Sequence, residues 1–356
     1  MRFLQITNIV TQEISDKSNK IYLGSWCLKN SLGESDKLIM KDKWDNKAFA
    51  YKNYKYLHDL KKRLLPCISL ELNKLHNIKL SNRSWDIILG YWLIQFLTMF
   101  LNRWQNIENL KKIESDLYTI LPRFNKVDLI ASDSKEAGEL YYSDEWNFIF
   151  YAYLIKYKTK IKYELRNFKL IFKSKKSKKK HDIKKIFFSS FKTFIKKFLF
   201  FFIEILKFKI NSQTIVLSSH SLSTFRLFYL IFTTKYKIKI EENFKEYDNF
   251  IVNKNLRNWK INKFIPTDDF EESIINNINL FMPASFLENF KKINDDLNNS
   301  NINYLPALIF SCNNHLYNDA FKIWAASKSE KNCKIMIGQH GGGAFQKYNT
   351  GIQYEI

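Results

Sequence analysis

The stretch K-I-M-I-G-Q-H-G-G-G-A-F at positions 334–345 constrains the fold more than any other part of the chain. A short apolar run ending in glycine is how a buried parallel strand hands over to a loop, and three successive glycines mark a backbone path that side chains would block. Taken alone, the glycines fit a flexible turn equally well. The sequence before them decides between the two. Residues 305–310 (L-P-A-L-I-F in part) read as a strand, S-C-N-N at 311–314 as its loop with an Asn at the helix N-cap, and residues 315–327 as one amphipathic helix. A parallel strand at 334–337 then completes a βαβ unit over 305–343. Open parallel sheets bind ligands beyond the carboxyl ends of their strands, which brings the Asn314, His315 loop and the loop of Gln339, His340, Gly341, Gly342 and Gly343 to one edge. Ser219, His220 and Ser221, following a strand at 213–218, join them if that strand is a neighbour.

The N-terminal part has a different texture. Residues 2–7 and 20–24 read as strands too close in sequence for a long crossover helix between them, and Trp26 in the loop after the second reads as packing, with ligand stacking as the minor alternative. From 47 to about 104 apolar residues recur at three and four spacings, giving two helices. The second, S-W-D-I-I-L-G-Y-W-L-I-Q-F-L-T-M-F-L, is interrupted by Asp86, Gly90, Tyr91 and Gln95, and reads as a buried helix rather than a membrane span. Ser81 and Asn82 offer its N-cap. Arg83 in its first turn, and His58 and His76 on helical faces, read as paired structural residues. Asp144 and Glu145 open a further helix, where capping accounts for the two carboxylates.

Charge matters where it clusters. The chain carries 57 Lys+Arg against 35 Asp+Glu, a net +22, but Lys, Asn, Ile, Phe and Tyr are abundant throughout, as an AT-rich genome would impose. The exception is 173–185, with eight lysines in thirteen residues. It feeds a Phe-rich amphipathic pattern over 186–208 that suits an anionic membrane surface and equally suits a helix docked on the protein's own core. Four scattered cysteines without a C-x-x-C pair indicate neither a zinc site nor a disulfide framework, and no export signal is expected from a strand-like N-terminus. The expected location is the cytoplasm, with the inner face of the plasma membrane as a peripheral site. These boundaries give three regions: 1–170, N-terminal strands plus a helical region; 171–210, a basic linker and amphipathic helix; and 211–356, a Rossmann-like α/β region ending at the glycine loop.

Several blocks together resemble the transferases encoded in bacterial O-antigen and surface-polysaccharide loci. They are L-G-S-W-C at 23–27, Leu72, Asn73 and His76, S-N-R-S-W at 81–85 with G-Y-W-L at 90–93, D-E-W-N at 144–147, and S-C-N-N-H-L-Y-N-D-A-F-K-I-W-A-A leading to I-G-Q-H-G-G-G. Ser25 stands where the family has an acidic residue, and Ser84, Trp85 where it has an aromatic pair. The resemblance implies a glycosyltransferase of GT-B type that moves a sugar from a nucleotide-activated donor to a saccharide or lipid-linked acceptor. Family members continue past the glycine block. The expected fold is therefore α/β, a Rossmann-like N-terminal lobe with a large helical insertion, the second lobe absent.

On this reading the chemistry needs a stabiliser for the departing diphosphate and a base for the acceptor hydroxyl. Backbone N–H groups of Gly341, Gly342 and Gly343 would approach phosphate oxygens; His340 or His315 would handle the proton; Gln339 and Asn314 would orient hydroxyls, with His220 and Ser221 beside them. Neither a metal nor a cofactor is called for beyond the donor. Two other classes compete: a nucleic-acid-binding protein, favoured by charge and 16% aromatics but without a recognisable motif, and a membrane-associated scaffold acting through 173–208.

Overall fold

The fold is that of a computed structural model, which describes residues 2–10, 20–28, 38–113, 116–170, 214–220, 222–235, 237–242, 244–247 and 250–338. Strands β1 (Arg2–Gln5), β2 (Lys20–Tyr22) and β3 (Leu38–Ile39) are followed by two long helices, α1 (Lys47–His76) and α2 (Asn82–Asn109). Next come β4 (Leu117–Pro122), α3 (Ser134–Leu140), α4 (Asp144–Lys158) and β5 (Lys162–Arg166). All five strands pair in parallel in the order β3-β2-β1-β4-β5. The order reverses between β1 and β4, the kind of switch point at which open sheets form a crevice.

A second parallel sheet lies within the same chain. It is built from β6 (Ile215–Ser218), α5 (Thr224–Thr233), β7 (Ile238–Ile240), α6 (Asp269–Phe281), α7 (Phe290–Asn298), β8 (Leu308–Ser311), α8 (Asn314–Tyr317), α9 (Asp319–Ser329) and β9 (Lys334–Ile337). Its order is β7-β6-β8-β9, with the reversal between β6 and β8. The expected Rossmann-like α/β character is present, and the described residues carry it in two parallel sheets where a single lobe was expected. What reads in sequence as an insertion contains α1 and α2, which pack on each other, α2 also packing on α4 of the first half and α9 of the second. The βαβ unit is present over its described part, since β8 and β9 pair in parallel from Leu308 opposite Lys334 to Ser311 opposite Ile337.

Local signals explain the helix ends. Asn46 accepts from the Phe49 N–H at 3.0 Å to start α1, and Asn77 ends it in the left-handed conformation at φ 52°. Ser81 accepts from the Ser84 N–H at 3.2 Å, as its sequence position predicts. In α4 Ser143 takes the Trp146 N–H at 3.1 Å, Asp144 and Glu145 occupy the positive end, and Lys156 and Lys158 the negative one. One expectation fails: residues 315–327 are not one helix. Asn318 adopts an extended backbone, ends α8 and caps α9 by accepting from the Phe321 N–H at 2.9 Å.

α2 is the centre of the packing. By length and composition it could cross a membrane, yet 78% of its apolar window is buried within the protein. Trp85, Trp92, Phe96 and Phe100 are all fully buried, and each such side chain contributes roughly 1.5–3 kcal/mol of transfer free energy. α2 packs on α1 along one side and on α9 along another. One continuous core therefore runs from Leu4 and Ile120 in the first sheet to Val216 and Ile309 in the second and Trp324 on α9.

Candidate functional site

A cavity of about 990 Å³ opens where the carboxyl ends of the first sheet meet the loop after β8. Trp26 follows β2, Asp42 and Trp44 follow β3, and Leu316 and Tyr317 come from α8. Tyr91, Gln95, Asn102 and Arg103 on α2, and Asp144, Asn147 and Tyr151 on α4, supply the floor and the far wall. Its volume sits at the upper end of the about 300–1,000 Å³ range of small-molecule clefts.

The aromatic walls are fixed from behind. The Trp26 ring lies parallel to that of Tyr151, 6.2 Å between centroids at 2°. A Cβ at Gly24 would overlap the Trp26 ring, so glycine there lets the ring fold back over the chain. The Trp44 indole N–H donates to Gln105 Oε1 at 2.8 Å. Tyr91 and Tyr317 meet edge to face at 5.7 Å with their hydroxyls 3.3 Å apart, and Gln95 donates to the Tyr91 hydroxyl at 2.8 Å.

The polar groups are equally constrained. Asp42 accepts from the Trp44 N–H at 2.9 Å and from Asn102 Nδ2 at 3.1 Å. Asp144 Oδ2 accepts from Asn8, in the loop after β1, at 2.9 Å. Arg103 donates from Nε to Asn147 Oδ1 at 3.0 Å, from Nη1 to Asn102 Oδ1 at 2.9 Å and from Nη2 to the Tyr141 carbonyl at 3.1 Å. Asn147 in turn donates to the carbonyls of Tyr141 and Ser143, at 3.0 and 2.8 Å. Burial pushes the Tyr151 hydroxyl up to about 12 and the Cys27 thiol up to about 12, which keeps Cys27 out of nucleophilic chemistry at neutral pH.

A small recess of about 20 Å³ adjoins the cleft through Lys135 and Tyr317, which line both. Asp133 faces it, its carboxyl pushed up to about 7 by burial and then by the negative charge of Asp319. Asp319 Oδ2 accepts from the Ser134 N–H at 2.9 Å and from Ser285 Oγ at 2.5 Å, while its Oδ1 is 2.5 Å from Lys322 Nζ. Lys322, fully buried, also donates to Ser134 Oγ at 2.9 Å.

The residues expected from sequence fall into two groups. His220, Asn314 and His315 all follow strands of the second sheet at its carboxyl edge, and Asn314 Nδ2 donates to Ser218 Oγ at 2.8 Å, joining the loops after β6 and β8. His220 Nε2 stands 3.5 Å from Glu242 Oε1, and His315 is buried at 4% exposure. None of the three lines the cleft; the neighbouring Leu316 and Tyr317 do. Gln339, His340, Gly341, Gly342, Gly343 and Ser221, and the segment 173–208, lie outside the described residues. At Gly338, just before them, a Cβ would stand 2.6 Å from the Phe310 ring and 2.8 Å from Cys312 Sγ.

Sequence reasoning passed over the cleft itself. Asp144 reads as a carboxylate of a helix's first turn and Trp26 as packing, and each does that as well as lining the cavity, while Asn147 has no site role in that reading. The available signal was a concentration of Trp, Tyr, Asn and Gln in segments that follow strands.

The chain matches the family model described as LIC12162 family transferase over residues 2–355. No curated protein and no solved structure matches it.

Proposed function

Because the chain belongs to the LIC12162 family of transferases, we propose that the group it transfers is a sugar, taken from a nucleotide-activated donor. The observation that carries this reading is the make-up of the cleft. Flat aromatic faces from Trp26, Trp44 and Tyr317 stand beside planar hydrogen-bonding groups, Asn102, Asn147, Asp42 and Asp144, whose orientations are already fixed. Pyranose rings present apolar C–H faces and equatorial hydroxyls, and such a lining meets both without reorganising. Its place beyond the carboxyl ends of parallel strands supports the same reading, as does a volume sufficient for a sugar with part of a nucleotide. The GT-B arrangement, with donor and acceptor meeting between two Rossmann-type halves, is the architecture proposed.

In the proposed reaction an acceptor hydroxyl attacks the anomeric carbon, the bond to the diphosphate breaks with its electron pair, and the acceptor proton passes to a base. His315 and His340 are proposed for proton handling and the glycine loop for the diphosphate, on the sequence alone. A saccharide or lipid-linked acceptor of surface-polysaccharide synthesis, reached at the inner membrane face through 173–208, is proposed with them.

The test uses the whole chain with a panel of nucleoside diphosphate sugars and lipid-linked acceptors, following release of nucleoside diphosphate. Transfer by the wild type, with kcat/KM lowered roughly tenfold in Trp26→Ala through loss of the aromatic face, is the expected result. Acceptor-dependent release that is unchanged in Trp26→Ala and in Asn147→Ala would take the reaction away from this cleft. A chain that releases no nucleoside diphosphate from any donor would end the sugar-transfer reading.

A further inference from the structure

Arg103 is the exception among the described arginines that are half-buried or buried. Arg166 pairs with Glu164 at 2.7 Å and Arg257 with Glu288 at 2.6 Å. Arg103 sits on α2 against the cleft, and its three acceptors, Asn147 Oδ1, Asn102 Oδ1 and the Tyr141 carbonyl, are all neutral. None of the ion pairs among the described residues includes it. A guanidinium withdrawn from water is usually matched by an anion, because hydrogen bonds to neutral groups replace only part of its hydration.

The hydrogen-bond count says where that anion would sit. Arginine has five N–H groups. Nε–H is spent on Asn147, one N–H of Nη1 on Asn102 and one of Nη2 on Tyr141. One N–H therefore remains on each terminal nitrogen, the pair that grips two oxygens of a carboxylate or phosphate side by side. The same three acceptors hold the planar group still, so little freedom is lost when a ligand arrives.

The neighbouring carboxylates restrict the ligand further. Asp42 and Asp144 line the same cleft, each held by a side-chain amide, Asn102 and Asn8 respectively. They repel a bare anion and accept hydrogen bonds from hydroxyls. A molecule that satisfies both features carries an oxyanion on a polyhydroxylated body.

We propose that Arg103 is the anion-recognising residue of the cleft and that the ligand it selects is an anionic sugar, whose carboxylate or phosphate meets the two free N–H groups. This rests on the sugar-transfer reading and adds to it the charge of the substrate.

Equilibrium binding to the whole chain, followed by tryptophan fluorescence from Trp26 and Trp44, tests it with four probes: glucose, glucuronate, glucose 1-phosphate and inorganic phosphate. The wild type should bind one or both anionic sugars about tenfold or more tighter than glucose, and the advantage should shrink as salt is raised. Which of the two gains identifies the group as carboxylate or phosphate. Arg103→Gln should lose the advantage, bringing the ratio of anionic-sugar to glucose affinity down to about one, whatever it does to glucose binding itself. Arg103→Lys keeps the charge without the fork, should recover only part of it, and serves if Arg103→Gln fails to fold. Equal affinity for glucose and both anionic sugars would overturn the proposal, as would an advantage that survives in both variants. Inorganic phosphate binding as tightly as glucose 1-phosphate would overturn the sugar part of it. Failure of the underlying reading looks different: no probe binds, neutral or charged, and the proposal falls with it.

Discussion

Asp133 does two things that pull against each other. Its Oδ1 accepts from the Glu136 N–H at 2.8 Å and caps α3, while burial and the nearby Asp319 charge raise its carboxyl from the usual 3.8 to about 7. Glu136 adds to the rise, and Lys322 opposes it. A carboxyl raised on folding holds its proton in the native state after the unfolded chain has lost it. Its contribution to stability is therefore complete below about pH 4 and is lost as pH rises through about 7. Asn caps a helix as well as Asp does and carries no charge. Asp133→Asn should thus flatten the pH dependence, matching the wild type near pH 4 and exceeding it at pH 8. Urea midpoints at pH 4, 6 and 8 decide the matter; parallel curves for the two proteins would mean that Asp133 titrates normally. Gly24 gives a second residue-level prediction. Gly24→Ala leaves no room for the Trp26 ring in its place over Tyr151, so it should reproduce the ligand-binding loss of Trp26→Ala with the fold retained by circular dichroism. Full binding in Gly24→Ala would show that the ring position is not what matters. At this scale little of the site was legible. A tryptophan in a loop after a strand reads as packing because nothing in the one-dimensional order says that Tyr151 will lie behind it and empty space in front.

Elements were easier to read where caps and long periodicity coincide. Ser81 and Ser143 mark their helices in the sequence and in the structure, and β8 and β9 announce themselves as apolar runs. Two of the missed strands carry weak signals for definite reasons. β3 is two residues long, and β5, K-Y-E-L-R, is the outer strand of its sheet, with charges along it that blunt the edge. The break between α8 and α9 was illegible for another reason. Apolar residues continue at helical spacing through H-L-Y-N-D-A-F-K-I-W, and only the side chain of Asn318, bonding to the Phe321 N–H, shows that the chain restarts. That restart places Tyr317 on the cleft and Asp319 in the buried network one residue pair later. Asn318→Ala should cost about 1 kcal/mol through loss of the cap, and Asn318→Asp should recover most of it, as read by urea unfolding. Equal losses in both variants would point instead to the weaker 3.5 Å contact of Asn318 with the Phe244 carbonyl.

At the scale of the molecule, the two sheets are held as one body by a joint that sequence order hides. The Ala284 and Ser285 N–H groups donate to the carbonyls of Ala131 and Ser132, both at 2.9 Å, which lays the turn before α7 along the loop before α3. Beneath this short ladder sit Asp319 and Lys322, one helical turn apart on α9, with Ser134 and Ser285 completing their hydrogen bonds and the Phe286 ring 5.2 Å from the ammonium. In sequence an Asp and a Lys three apart read as a solvated surface pair; here both are buried, because α9 lies between α2 and the second sheet and has almost no wet face. Two buried charges are costly to desolvate, and their pairing with full hydrogen bonding offsets that cost only while both remain. Lys322→Met should therefore destabilise the protein by about 3–5 kcal/mol, since it leaves the Asp319 carboxylate buried with two donors and no cation. Asp319→Asn combined with Lys322→Met removes both charges and should cost clearly less than the sum of the single changes, a coupling of about 1 kcal/mol or more. Urea unfolding of the two single variants and the double closes the cycle. Additive losses would mean that the pair is incidental and that the backbone ladder and the shared core alone hold the two halves in register around the cleft.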